Sequence, residues 1–271
     1  MLSQIKNLVL DMDGVLWHGE TAMPGLLPFF TTLDRLEISY VLATNNATRT
    51  AEQYTQKIAR FGLDIPPELI LNSAETTAVM LAGQYALDTP AYIVGAKGLH
   101  AAMKDQGFTA VTAEEVEAGA RPSLVVLGFA PHVCYKELAM AALLVNEGAT
   151  FVGTNPDPSI PTELGPLPGA GALLAVISTS TGVEPITVGK PGPLIFEYAL
   201  QRLNAQKENT AMVGDRLTTD IAGAKAAGLW AILVLSGIAT REDIAGSAYQ
   251  PDFVYADIAE LGQALERAAG G

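Results

Sequence analysis

Cysteine is almost missing from this sequence: Cys134 stands alone, so no internal disulfide can form. The chain is therefore expected in a reducing cytoplasm, with Cys134 packed as a small buried hydrophobe. Charge is scarce too, at 17% of residues, and it leans acidic, to a formal net charge of −13. No cluster of Lys or Arg interrupts it, which removes the electrostatic footprint of a nucleic-acid binder. Long apolar runs are absent as well. The longest, Leu138 to Val145, meets Asn146 and Glu147 far short of the roughly 20 residues that a membrane span needs. The opening MLSQIKNLVLDMDG has a four-residue apolar run ending in two acids, without the basic start and longer apolar region of an export signal. The histidines, His18, His100 and His132, show no metal-ligand spacing and read as surface or packing residues.

What is present is a core. Hydrophobic residues make up 49% of 271, enough for one large domain or for a core carrying a smaller one. Short apolar runs recur at Asn7 to Leu10, Ser39 to Ala43, Ala91 to Val94, Leu124 to Leu127, Thr210 to Val213 and Trp230 to Leu235. Helical spacing fills Ala51 to Phe61, Tyr135 to Val145, Leu194 to Leu203 and Asp220 to Ala227. This alternation predicts an α/β fold, a parallel sheet with covering helices. Several runs end directly in polar residues, at Asp11, Thr44, Gly189-Lys190 and Gly214-Asp215. Ligands of open α/β sheets bind beyond the carboxyl ends of the strands, so these places can converge. Between about Ser73 and Leu167 that signature is lacking until Thr154-Asn155-Pro156-Asp157, which marks an inserted domain. The Pro- and Gly-rich stretch Pro158 to Gly171 reads as the loop that leads back, into a helix at Ala172 to Ser178.

The strongest chemical signal is Leu10-Asp11-Met12-Asp13-Gly14. Residues i and i+2 of an extended chain share a side, so both carboxylates can face one site while Met12 packs behind and Gly14 turns the chain away. A carboxylate attacks a phosphate dianion only if a cation screens the two charges, and Asp11 suits that nucleophile. Asp13 suits the group that protonates the leaving oxygen and later takes a proton from water. Taken alone, a D-x-D pair also serves as a helix cap or a turn.

Later strand ends add to it. Thr44-Asn45-Asn46 offers a hydroxyl and amides for phosphate oxygens, although such a triplet also caps helices. Lys190, before Pro191, supplies a compact positive charge that can steady Asp11 and phosphate together. Asp11, the backbone carbonyl of Asp13, Asp215 and a substrate oxygen would suffice for magnesium, with Asp220 orienting ligands from behind or serving a helix N-terminus. Asn155 and Asp157 are candidate contacts to the leaving group, in a triplet that also forms ordinary turns.

In this order DMDGV, TNN, GKP and GDRLTTD resemble motifs I to IV of the haloacid dehalogenase superfamily. Together with TNPD and PGAGAL, they are most similar to its NagD-like, nitrophenyl-phosphatase-like branch across nearly the whole chain. The resemblance implies a Rossmann-like core with helices on both faces, from residues 1–72 and 169–271, and an α/β cap inserted at 73–168. It implies Asp11 as nucleophile, Asp13 as acid/base, Asp215 as metal ligand, Thr44 and Asn45 as phosphate contacts and Lys190 as the motif III lysine. Magnesium and a small phosphorylated metabolite are the cofactor and partner that follow, and association of copies through the cap is left open. Gly128-Phe129-Ala130 lacks the acid that many relatives carry there, and Gly192 replaces a larger polar residue, so the substrate pocket is expected to differ. A mutase would return the phosphoryl group to substrate instead of water. A receiver-like signalling module would use a strand-end Asp without Asp13, which gives a long-lived phospho-switch nothing. An inactive relative would not fill all four positions.

Overall fold

In the computed structural model, which describes residues 2–162 and 164–270, each of these short apolar runs is a largely buried strand. The strands are β1 (Asn7–Leu10), β2 (Trp17–His18), β3 (Thr21–Ala22), β4 (Ser39–Thr44) and β5 (Ile70–Asn72). They continue with β6 (Pro90–Val94), β7 (Thr109–Val111), β8 (Leu124–Leu127), β9 (Thr150–Gly153), β10 (Ser159–Thr162), β11 (Gly165–Pro168) and β12 (Ile186–Thr187). The last three are β13 (Thr210–Gly214), β14 (Trp230–Val234) and β15 (Phe253–Tyr255). The chain divides into two units. The first comprises the described residues up to Thr44, then Tyr54–Leu71, then those from Lys190 onward; the second comprises Asn45–Gln53 and Asn72–Gly189.

The first unit is built on a sheet of order β15-β14-β13-β1-β4-β5. β1 pairs in parallel with β4 and β13, β13 with β14, and β14 with β15. Parallel strands covered on both faces need unbroken apolar runs, and these have them. Val9, Val41 and Met212 pack in one cluster with Ile195, Phe196 and Leu229. Their alternating neighbours Leu8, Leu10, Leu42 and Val213 are just as buried, so the opposite face is covered too. The chain runs outward one way from β1 through β4 and later the other way through β13, so the order reverses at β1. The crevice beyond the carboxyl ends of β1, β4 and β13 is where such a sheet binds ligands.

The second unit has its own parallel sheet, of order β12-β9-β8-β6-β7, with a core of Tyr92, Val125, Leu144, Phe151, Leu174 and Ile177. Three expectations differ from the structure here. Pro158 to Gly171 is not simply loop: β10 and β11 form an antiparallel hairpin inside it, and the next helix already begins at Ala170. An isolated two-stranded ribbon leaves each strand one free edge, where prolines do no harm, so Pro166 and Pro168 hid it. Residues 169–189, read as core, remain with the second unit, because Leu174 and Ile177 fill its interior and β12 extends its sheet. Cys134 is exposed, not buried; it stands before the helix Tyr135–Asn146, where its backbone N–H donates to Glu137 Oε2 at 2.8 Å. Among the described residues, no helix is long and apolar enough to cross a membrane.

Candidate active site

Three adjacent strand ends of the first unit meet in a buried ionic cluster. Asp11 follows β1, Asp215 follows β13, and Thr44 closes β4. Lys190 reaches among them with 2% of its surface exposed. Its Nζ lies 2.9 Å from Asp11 Oδ1 and 2.7 Å from Asp220 Oδ1, and donates to the carbonyl of Ala43 at 2.9 Å. Burial works against that charge, yet Asp11 and Asp220 hold the ammonium above its ordinary range. Burial also pushes the Asp11 carboxyl well up, against the pull of Lys190 and with added repulsion from Asp220 and Asp215. The Asp215 carboxyl is pushed up to about 7, first by burial and then by Asp220, although the Ile238 N–H partly offsets this. Like charges this crowded are stable only with a shared counter-charge.

The acids are locked by backbone and glycine. Asp220 lies in a single π-helical turn, Leu217–Ile221, and its Oδ2 accepts from the Arg216 N–H at 3.0 Å. Asp215 Oδ2 accepts from the Ile238 N–H at 2.8 Å. A Cβ on Gly237 would lie 1.9 Å from that oxygen, and one on Gly14, whose φ is +84°, would lie 2.5 Å from it. Glycine is thus required at both places for Asp215 to sit where it does.

The structure brings together Asp11, Lys190, Asp215 and Asp220. One oxygen from each of Asp11, Asp215 and Asp220 falls within 4.8 Å of the others. Asp215 Oδ1 is buried with no hydrogen-bond donor among the described residues. An orphaned carboxylate oxygen beside a second carboxylate, in an all-oxygen donor set, fits a hard cation such as magnesium. Asp220 is less a bystander than the sequence suggests, since its carboxyl is fully buried and shares Lys190 with Asp11. The Asp13 carboxyl is half-buried and accepts from the Trp17 indole at 2.8 Å.

Asn45, Asn46, Asn155 and Asp157 belong to the second unit. There Asn155 Nδ2 donates to the Asn45 carbonyl at 2.7 Å, and Ser73 Oγ donates to the same carbonyl at 2.6 Å. Asn155 Oδ1 accepts from the Asp157 N–H, and Asn46 Oδ1 accepts from the N–H and hydroxyl of Thr48. The Asn46 and Asn155 side chains thus organise loops. Sequence reasoning missed Gly237, the Ile238 amide, the Ala43 carbonyl and Trp17. A turn signal, Ser236-Gly237 one residue past β14, was available for the first two.

Residues 8–109 match the haloacid dehalogenase-like hydrolase family, and residues 187–261 match the HAD-hydrolase-like family. An acid sugar phosphatase of Staphylococcus aureus is 37% identical over 266 residues, 98% of this chain and 100% of that one. The crystal structure of a 4-nitrophenylphosphatase from Thermotoga maritima aligns with TM-score 0.90 and 34% identity, over 97% of this chain and 98% of that one. A glycerol phosphate phosphatase from Mycobacterium tuberculosis in complex with magnesium aligns with TM-score 0.87 and 33% identity, over 97% of this chain and 78% of that one.

Proposed function

The chain belongs to the haloacid dehalogenase-like hydrolases and is a phosphatase, and on that premise we propose that it hydrolyses small phosphomonoesters through an aspartyl-phosphate on Asp11. The observation that carries this reading is the buried Asp11–Lys190–Asp220 cluster with Asp215 beside it, at the ends of adjacent strands. Lys190 holds Asp11 Oδ1 at 2.9 Å, which leaves the other oxygen for in-line attack on phosphorus. That attack forms the acyl-phosphate bond and breaks the ester bond, while Asp13 gives its proton to the departing oxygen. Asp13 then takes a proton from water as the water attacks phosphorus, and Asp11 is released with inorganic phosphate. Thr44, the last residue of β4, offers its hydroxyl to a phosphate oxygen without adding charge. Asp11, Asp215 and the backbone carbonyl of Asp13 would hold magnesium, which when bound supplies the positive charge that lets two anions approach.

Sugar and polyol phosphates are the substrate class, supported by the activities named for the similar S. aureus and M. tuberculosis proteins. The test is phosphate release across a panel of phosphometabolites with magnesium present, followed over time. Free phosphate from one or more phosphomonoesters is expected. An isomerised sugar phosphate without free phosphate would make the chain a mutase, and no reaction with any member would remove the proposal.

A further inference from the structure

Trp17 lies outside all the motif positions that supply the chemistry, yet it makes a direct bond to one of them. It opens the hairpin of β2 and β3, is 1% exposed, and donates from Nε1 to Asp13 Oδ1 at 2.8 Å. A buried indole N–H needs an acceptor, and a carboxylate is a strong one. The backbone closes the same loop: the Gly14 N–H donates to the Trp17 carbonyl at 2.8 Å, and the Leu16 N–H donates to the Met12 carbonyl at 2.8 Å.

The indole is itself held. Lys57 Nζ stands 4.5 Å from the ring centroid, and the Phe61 ring packs with its centroid 5.8 Å away. Lys57 is buried, and its ammonium donates to the Gly19 carbonyl at 2.6 Å and faces Glu20 at 3.8 Å. One cation thus ties down both the face of the indole and the tip of the hairpin that carries it.

We infer that Trp17 is a positioning residue for the acid/base: its N–H fixes one oxygen of the Asp13 carboxyl, so the other is presented to the leaving oxygen and then to water. This rests on the reading of Asp13 as general acid/base. A freely rotating carboxylate would spend most of its time misaligned, and alignment is what general acid/base catalysis requires. Loss of one hydrogen bond to a charged group is expected to cost about 10- to 100-fold in the correctly held population.

Two variants separate the N–H from the ring. Trp17→Phe keeps an aromatic ring against Lys57 and Phe61 and removes the donor. Trp17→His removes the outer ring but keeps an N–H at the equivalent position of the five-membered ring. Both are measured, after thermal melting confirms folding, with an alkyl phosphate and with nitrophenyl phosphate, whose leaving group barely needs an acid. Trp17→Phe should lower kcat on the alkyl phosphate about 10- to 100-fold with KM little changed, and should retain rapid nitrophenol release in the first turnover. Trp17→His, though less stable, should keep the higher kcat on the alkyl phosphate. In an Asp13→Asn background, Trp17→Phe should cost nothing further. Wild-type kcat for Trp17→Phe, or an activity order that follows stability instead of the N–H, would leave Trp17 a packing residue. If Trp17→Phe does not fold, Trp17→His decides alone: a loss of first-turnover nitrophenol release as large as its loss of alkyl-phosphate turnover would overturn the inference. Wild-type turnover by Asp13→Asn is a different outcome, which removes the acid/base reading itself.

Discussion

Replacing Lys190 by Met keeps most of the side chain's length and removes its charge, which strands Asp11 and Asp220 in the interior. The ammonium is 2.9 Å from one carboxylate and 2.7 Å from the other. At an effective dielectric of about 20, each such pair has a gross attraction of about 6 kcal/mol. Desolvation cancels much of that in the intact cluster, but removing one partner leaves uncompensated buried charge, at about 3–5 kcal/mol. The pH dependence fixes the cause. Asp11 is already held well above the usual carboxylate range by burial, and without Lys190 its pKa rises further. A raised carboxyl favours the folded state when protonated. Its contribution is full below the unfolded value near 4 and is lost as pH rises through the folded value. Lys190→Met should therefore be strongly destabilised at pH 8 and much less so at pH 5. Urea unfolding of the metal-free protein, followed by tryptophan fluorescence, measures this cleanly, because Trp17 and Trp230 both lie in the first unit. An equal loss at both pH values would show that Lys190 acts by packing, and no loss at all would refute the ionic account.

Other consequences are as direct. Gly237→Ala places a methyl 1.9 Å from Asp215 Oδ2 and so must displace that carboxyl; magnesium affinity by calorimetry should fall at least about tenfold, within the range for disturbed ligand support. Gly246→Ala, with nothing within 4 Å of its added carbon, should leave it unchanged. Asp215 has a carboxyl pushed up to about 7 by burial and Asp220, so metal-free stability from this group declines as pH rises from about 4 through 7. Magnesium needs the ionised form, so its gain in Tm should be larger at pH 8 than at pH 6; an equal gain would take Asp215 out of the metal site. Asp13→Asn should give a nitrophenol burst of at most one equivalent and then turnover slower by about 10²–10⁴-fold, and steady turnover at the wild-type rate would contradict its role.

Much of this site was legible because strand ends announce themselves. Asp11, Thr44 and Asp215 each close or follow an apolar run, and a parallel sheet carries the ends of β1, β4 and β13 to one edge whatever their distance in sequence. Lys190 was legible from its place just past an apolar run and before Pro191, but the strand that precedes it, β12, belongs to the second unit's sheet, so the shared edge of β1, β4 and β13 does not account for its position. What was not legible depends on contacts that hydropathy does not encode. The Asp13–Trp17 bond joins residues four apart through a turn whose geometry no pattern of apolar spacing reveals. Gly237 reads as an ordinary turn residue until its missing Cβ is seen to make room for Asp215. Asn155 looked poised for a ligand, but its amide donates to the Asn45 carbonyl, because a buried turn must satisfy its backbone before it can serve substrate. Cys134 was misread because burial was inferred from residue type, whereas a position before a helix faces solvent as readily.

The most direct test of the account is to acid-quench Asp13→Asn during reaction with nitrophenyl phosphate and map the phosphoryl group by mass spectrometry. The expected result is one phosphoryl group on the peptide carrying Asp11, absent when Asp11→Asn is combined with it. Phosphate release without any phosphorylated peptide, or a phosphoryl group on another residue with Asp11→Asn still fully active, would contradict it.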